Sequence, residues 1–213
     1  IGGAVNATYT TGITTYADDH DDQYRCQISA VGAATPATTN AVVLTVQRTF
    51  SITAQPSNAT ANEGATANFT VTVSTSSGSP TYQWERSDDG GANYASIGSA
   101  TSATYTTPTL VFANDNADRY RVVASLVGAA ASITSTHGEL TVLRVISIGT
   151  QPASTAVIEG GQGTFNIVAS ITSGTISYQW QKSINSGANW SNINGANSAS
   201  YTCLLYTSPS PRD

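Results

Sequence analysis

Apolar and polar residues alternate through Pro80-Thr81-Tyr82-Gln83-Trp84-Glu85-Arg86 and again through Ile176-Ser177-Tyr178-Gln179-Trp180-Gln181-Lys182. A period of two is what a strand with one buried face requires, and it puts each tryptophan on the buried side. Residues 67–74 alternate in the same way, with Phe69, Val71 and Val73 inward against Thr70, Thr72 and Ser74 outward. Further strands are predicted over residues 50–53, 94–97, 103–107, 119–127 and 133–143. Turn signals stand between them. Gln55-Pro56 removes a ladder donor, Gly78-Ser79-Pro80 turns into the Trp84 strand, and Asp88-Asp89-Gly90-Gly91 closes a hairpin by tolerating positive φ. Seven or eight short strands in roughly 100 residues predict an all-β chain of sandwich type.

The pattern recurs at a fixed offset. Trp84 and Trp180 lie 96 residues apart, and at the same spacing Gln55-Pro56 maps onto Gln151-Pro152 and Glu63-Gly64 onto Glu159-Gly160. Ala7-Thr8-Tyr9-Thr10-Thr11 matches Ala103-Thr104-Tyr105-Thr106-Thr107, and Leu44-Thr45-Val46 matches Leu140-Thr141-Val142, all without a gap. A period this long belongs to repeated whole domains, since solenoid units and propeller blades run to roughly 20–50 residues. The expected organisation has four pieces. Residues 1–48 form the back half of one domain, 49–144 a complete domain, and 145–202 the front half of a third. Residues 203–213 match nothing in the other copies.

The Tyr120 strand carries a resemblance. Asp115-Asn116-Ala117-Asp118-Arg119-Tyr120-Arg121-Val122 and Asp19-His20-Asp21-Asp22-Gln23-Tyr24-Arg25-Cys26 resemble the Asp…Tyr-x-Cys signature of strand F in immunoglobulin folds. The resemblance implies tandem Greek-key immunoglobulin-like β-sandwiches with truncated terminal copies. It implies the tyrosine-corner role for Tyr24 and Tyr120, with the hydroxyl bonded to nearby backbone, and the strand C tryptophan role for Trp84 and Trp180. The chain departs from the pattern at the cysteines. Phe69 and Phe165 stand at the strand B position and Val122 at the strand F position, so the complete domain closes its core by packing alone. Taken together, Tyr-Gln-Trp, Ser-x-Asp-Gly-Gly, Tyr-Thr-Thr and Asp-Asn-x-Asp-x-Tyr-Arg resemble the tandem immunoglobulin-like repeats of bacterial surface proteins and phage structural proteins, over residues 1–202. The run Cys203-Leu204-Leu205-Tyr206-Thr207-Ser208-Pro209-Ser210-Pro211-Arg212-Asp213 resembles a translated sequencing-library adapter and is set aside as a non-native tail.

Composition narrows the function classes. Charged residues make up 10% of the chain, Lys182 is the single lysine, and the net charge is −5. No basic cluster offers a footprint for nucleic acid, and no apolar run approaches the roughly 20 residues that span a bilayer. Candidate chemistry is sparse. Ser87-x-Asp89-x-Gly91-x-x-Tyr94 and Ser183-x-Asn185-x-Gly187-x-x-Trp190 fit the Asp-box of sialidase-type propellers, a hairpin-turn motif that reads here as a plain hairpin. The acidic run Asp18-Asp19-His20-Asp21-Asp22 and the loop 114–118 offer hard oxygens of the kind Ca²⁺ takes, but a solvated turn accounts for both. His20 and His137 occupy non-equivalent positions and read as surface residues. Cys26 is a half-cystine with a partner outside the chain or a small buried hydrophobe like Val122. Four Asn-x-Ser/Thr sequons, at Asn6, Asn58, Asn68 and Asn189, are expected by chance in a chain this rich in those residues.

No nucleophile–base set, carboxylate pair or phosphate loop stands at useful spacing. The expected protein is therefore no enzyme, with no metal site and no cofactor. It is a repeat segment of a large extracellular, cell-surface or virion-exposed protein, acting as spacer and adhesion or display module. Its expected partner is a surface glycan or cell-surface protein met through loops that differ between copies, with no nucleic acid and no membrane insertion. An accessory module of a secreted glycan-active enzyme and a phage head or tail decoration domain are the alternatives. The terminal halves leave apolar faces open (Tyr24 and Ile28; Phe165, Ile167 and Trp180), so self-association of complementary halves between molecules is expected too.

Overall fold

The computed structural model of the protein describes residues 1–203. Two compact units divide the described residues: 1–60, 67–108 and 115–141 in the first, and 61–66, 109–114 and those from 142 onward in the second.

The centre of the first unit is a six-stranded sheet, antiparallel through its Thr81–Ser87, Arg119–Ser125 and Gly138–Leu143 ladders. Its order is Ala95–Ser96, Thr81–Ser87, Arg119–Ser125, Gly138–Leu143 and Ala59–Asn62, and Ile133–Thr134 also pairs with Arg119–Ser125. The longest ladder aligns Thr81–Ser87 with Arg119–Ser125 over seven residues, setting Trp84 opposite Val122. Facing it are two ladders. Phe50–Ala54 pairs with Thr72–Thr75, and Asn68–Thr70 pairs with Thr104–Thr106, which sets Phe69 opposite Tyr105. The alternation dictates what lies between the sheets. Phe69, Val71, Trp84, Tyr120, Val122, Ala124 and Leu140 are buried, with Trp84 and Val122 fully enclosed. Phe69 stacks on Tyr120 at 4.5 Å between ring centroids, and Tyr105 stacks on Tyr120 at 5.6 Å. Rings fill the space that a disulfide crosses in cystine-bearing sandwiches. The chain is all-β and is a tandem of immunoglobulin-like β-sandwiches.

The strands are shorter than alternation alone predicts. Residues 67–74 form two strands, Asn68–Thr70 and Thr72–Thr75, because the ladder changes partner at Val71, whose N–H bonds the Ala103 carbonyl at 3.0 Å. Residues 133–143 break at Ser135. Its Oγ accepts from the Val122 N–H at 2.9 Å and so stands in for a ladder carbonyl. A short helical turn at Phe112–Asp115, and another at Tyr16–Asp19, precede the tyrosine strands.

The period is written into the backbone as well as the sequence. Among the described residues, every position with positive φ recurs 96 residues away: 3, 99 and 195; 21 and 117; 32 and 128; 64 and 160; 78 and 174; 90 and 186; 91 and 187. Glycine is not required at all of them. Ser99 holds φ 61° where Gly3 and Gly195 stand in the other copies, and Ala117 holds φ 72°. Side-chain bonds recur equally. The Gln83 amide donates to Trp84 O and Ile97 O at 2.9 and 2.8 Å, as the Gln179 amide does to Trp180 O and Ile193 O. Indole Nε1 donates at 2.8 Å to Ser102 O from Trp84 and to Ser198 O from Trp180.

The second unit holds three further ladders: Ile146–Thr150 with Val168–Ile171, Gly163–Asn166 with Ser200–Cys203, and Gln181–Lys182 with Ser191–Asn192. Cys203 ends a strand opposite Gly163, and the remainder of the tail set aside above, residues 204–213, lies outside the described residues.

Candidate functional site

Among the described residues, polar side chains gather at the hairpin turn after each Tyr-Gln-Trp strand and around Asp118 at the foot of the Tyr120 strand.

The hairpin turn is built by short side chains bonding their own backbone, as Ser, Asp and Asn do wherever the chain must reverse. Ser87 Oγ donates to Asp89 Oδ1 at 2.7 Å and accepts from the Gly91 N–H at 2.8 Å. Asp89 also accepts from the Asn93 N–H at 2.9 Å and from the Asn93 amide at 2.7 Å. These donors, the Asn93 N–H first, hold the Asp89 carboxyl far below the usual carboxylate range. The second copy repeats the frame with asparagine: Ser183 to Asn185 at 2.9 Å, Gly187 N–H to Ser183 at 2.8 Å, and Asn189 N–H to Asn185 at 2.9 Å. Asp89 is thus a turn-former whose lone pairs are already engaged.

The buried pair is different. Asp118 is 2% exposed, and its Oδ2 lies 2.6 Å from Arg86 Nε, while Asp115 lies 3.6 Å from Arg86 Nη2. Burial pushes the Asp118 carboxyl up to about 6, against the pull of the Arg86 guanidinium. The Tyr120 hydroxyl donates to Asp118 Oδ2 at 3.4 Å. The resemblance had this hydroxyl on nearby backbone; the carboxylate two residues earlier takes it instead, since it is a buried acceptor within reach. Burial first, and then Asp118, raise the Tyr120 hydroxyl above its ordinary value. Lys182 occupies the Arg86 position of the next copy and is exposed.

The other residues singled out from the sequence fall as follows. Phe69, Trp84, Tyr120 and Val122 share one core. Phe165 and Trp180 are half-buried and lie 6.2 Å apart between centroids, and Trp180 lies 6.0 Å from Tyr201. Tyr24 is half-buried and stacks on Tyr9 at 5.9 Å, the same pairing as Tyr105 with Tyr120. Cys26 is exposed with a free thiol. The acidic run is engaged locally: Asp18 and Asp19 bond the Thr15 hydroxyl and N–H, at 2.8 and 2.6 Å. His20 is no plain surface residue. Its Nδ1 accepts from the Val46 N–H at 3.2 Å, and its ring stacks on Tyr16 at 4.3 Å. Among the described residues no three His, Cys, Asp or Glu side chains converge to hold a metal ion. No helix among them is long and apolar enough to cross a membrane.

Sequence reasoning missed Arg86 as the partner of Asp118, and it missed Arg48 and Arg144. The signal for the latter was present. In a chain with eight basic residues, two arginines at the repeat spacing ask for a common role.

A family model described as "Domain of unknown function (DUF8696)" matches residues 51–144 and again residues 147–208. No curated protein matches the sequence. Among solved structures, the chain is similar to immunoglobulin domains 1–5 of Sidekick-1 (15% identity, TM-score 0.40, 79% of this chain and 36% of that one). It is also similar to titin domains z1z2, solved in complex with telethonin (18%, 0.41, 76% and 83%). A third similarity is to the N-terminal four immunoglobulin domains of Dscam1 isoform 6.9 (11%, 0.41, 87% and 47%). The chain spans about a third of the Sidekick-1 structure and about half of the Dscam1 one.

Proposed function

The chain belongs to the family described as Domain of unknown function (DUF8696), and from that premise we propose that its repeats serve a large extracellular or virion-exposed protein as a non-catalytic spacer and display module. The observation that carries this reading is the hairpin turn. Its frame of hydrogen bonds is the same in both copies, yet the residues mounted on it differ. Asp88 gives way to Ile184 and Tyr94 to Trp190, and Ile184 and Trp190 are 90% and 60% exposed. A constant frame with variable tips suits recognition of a surface glycan or a cell-surface protein, an exposed indole being well made to lie flat on a sugar ring. The proposal extends to self-association through the unpaired strand edges of the first and third copies.

Glycan-array and cell-binding measurements on the 213-residue chain test the display role. Exchanging the tip residues for those of the other copy, Ile184→Asp with Trp190→Tyr, is expected to abolish binding and leave thermal unfolding unchanged. Binding that survives the exchange removes the hairpin from the proposal. A catalytic domain in the same reading frame would turn the module into an accessory of a glycan-active enzyme, and co-purification with capsids would make it a decoration domain.

A further inference from the structure

Arg48 and Arg144 stand 96 residues apart, at the two borders between copies read from the sequence. Each makes the same set of contacts. The Arg48 guanidinium carbon lies 3.9 Å from the centroid of the Tyr16 ring, and that of Arg144 lies 3.8 Å from the centroid of Phe112. Tyr16 and Phe112 are themselves equivalent, each the first residue of the helical turn before its tyrosine strand. On the other side, Arg48 Nε donates to Ser77 Oγ at 3.1 Å and Arg144 Nε to Ser173 Oγ at 3.1 Å. Gly78 and Gly174 follow these serines at φ 79° and 87°, and a side chain at either would meet the guanidinium at about 3.1–3.2 Å. Beyond the arginine, the Thr49 N–H bonds Ser76 Oγ at 3.1 Å and the Val145 N–H bonds Thr172 Oγ1 at 3.2 Å. In every case the aromatic belongs to the earlier copy and the serine loop to the later one.

Each border adds a contact of its own. At the first, Arg48 Nη1 donates to Val127 O at 2.9 Å and its backbone N–H to Gly128 O at 2.8 Å. The Tyr16 ring occupies the place that a side chain at position 128 would need. At the second, the Glu63 carboxylate accepts from Thr172 Oγ1 at 2.6 Å, Ser173 Oγ at 2.7 Å and the Phe112 N–H at 3.0 Å. It therefore ties the turn bearing the aromatic to the loop bearing the serine. All partners of the first border lie in the first compact unit and all partners of the second lie in the second.

We propose that this arginine clasp is a recurring joint between copies: the linker arginine is pinned between an aromatic ring of one repeat and a Ser-Gly loop of the next, so that the linker is an ordered part of the array and not a hinge. An arginine suits the place because its planar cation stacks on a ring while its edge N–H groups donate in plane. A lysine offers no such fork.

Trypsin reads the joint directly, since it must extract the arginine to cut. Arg144 is exposed by area, so its side chain is open to the protease except where the clasp holds it. Limited digestion of the 213-residue chain, followed by mass spectrometry, is expected to cut after Arg144 at least about tenfold more slowly than after exposed, unclasped Arg25. Phe112→Ala is expected to bring cutting after Arg144 to within about threefold of Arg25, with Trp84 fluorescence reporting that the neighbouring core stays folded. Ser173→Ala, which leaves the ring and the core untouched, is expected to accelerate cutting about threefold or more. Tyr16→Ala is the matching change at Arg48. Equal rates at Arg144 and Arg25 in the unaltered chain overturn the proposal, as does a rate at Arg144 that neither Phe112→Ala nor Ser173→Ala alters.

Discussion

Trp84 is fully buried and yet polar at one edge, and both properties set the cost of losing it. Trp84→Phe leaves a void beside Val122 and strips the Ser102 carbonyl of its indole donor. A partial cavity and one unsatisfied carbonyl together predict a loss of about 2–4 kcal/mol, measured by urea unfolding. Asp118 makes a second prediction at this scale, with a sign that can be worked out. Its carboxyl is raised by burial to about 6 in the folded chain, against about 3.9 when unfolded. A raised folded value means that the folded state holds the proton more tightly. The stabilisation is therefore complete below about pH 4 and is lost as pH rises through about 6. The groups facing it are Arg86, Asp115 and Tyr120, and the Arg86 guanidinium and the Tyr120 hydroxyl, both raised, keep their protons across that window. Glu63 and Asp89 shift the opposite way, both held low by hydrogen-bond donors, so their contributions fail only as pH falls below the ordinary carboxylate range. Between pH 4.5 and 7, then, the unfolding free energy should fall by about 1–2 kcal/mol, and Asp118→Asn should flatten that slope. A slope unchanged in the Asn variant assigns the titration elsewhere.

At the scale of elements, the hairpin provides its own control. Asn185 accepts from Ser183 and from the Asn189 N–H as Asp89 accepts from Ser87 and from the Asn93 N–H, so the two bonds common to both turns need an acceptor oxygen at that place and not a charge. Asp89→Asn should leave the melting temperature of the middle sandwich unchanged, while Asp89→Ala should lower it. Equal effects of the two would mean that the charge matters after all. The elements also mark what the sequence makes legible. A run such as 81–87 announces its strand because burial of one face is a property of each residue type in turn. The breaks do not announce themselves. Val71 looks like any inward valine, and only the arrival of a second partner strand ends the ladder there. Ser135 looks like a strand residue until its hydroxyl replaces a carbonyl. The positive φ at Ala117 is invisible too, since alanine resists that conformation and is held in it by the turn that closes onto the Leu140 carbonyl, 2.8 Å from its N–H. For the same reason the spacing of Arg48 and Arg144 asks for a common role without saying which ring each arginine covers.

At the scale of the whole molecule, strand edges decide how the chain behaves in solution. In the middle copy, Thr81–Ser87 is paired along its full length with Arg119–Ser125. In the third copy, the equivalent stretch bonds only its hairpin partner: Gln181–Lys182 pairs with Ser191–Asn192, and no strand lies on its other side among the described residues. The first copy has the complementary want. Gln23–Tyr24 pairs with Val42–Val43 and has no Trp-bearing strand against it among the described residues, and Ile28, Val42 and Val43 are 58%, 65% and 56% exposed. One copy offers the strand that the other lacks, with an apolar face beside it, and the repeat spacing ensures that their registers agree. Open edges of this kind pair between chains unless charge or proline blocks them, and neither edge carries such a block beyond Arg25 and Lys182. The 213-residue chain should therefore associate head to tail. Light scattering is expected to give a mass above the 21.9 kDa monomer that climbs with concentration. Val42→Lys, a change at an exposed position, should return it toward the monomer without lowering the melting temperature of the middle sandwich. A strict monomer at millimolar concentration would rule out the pairing, and an associated Val42→Lys variant would move it to another surface.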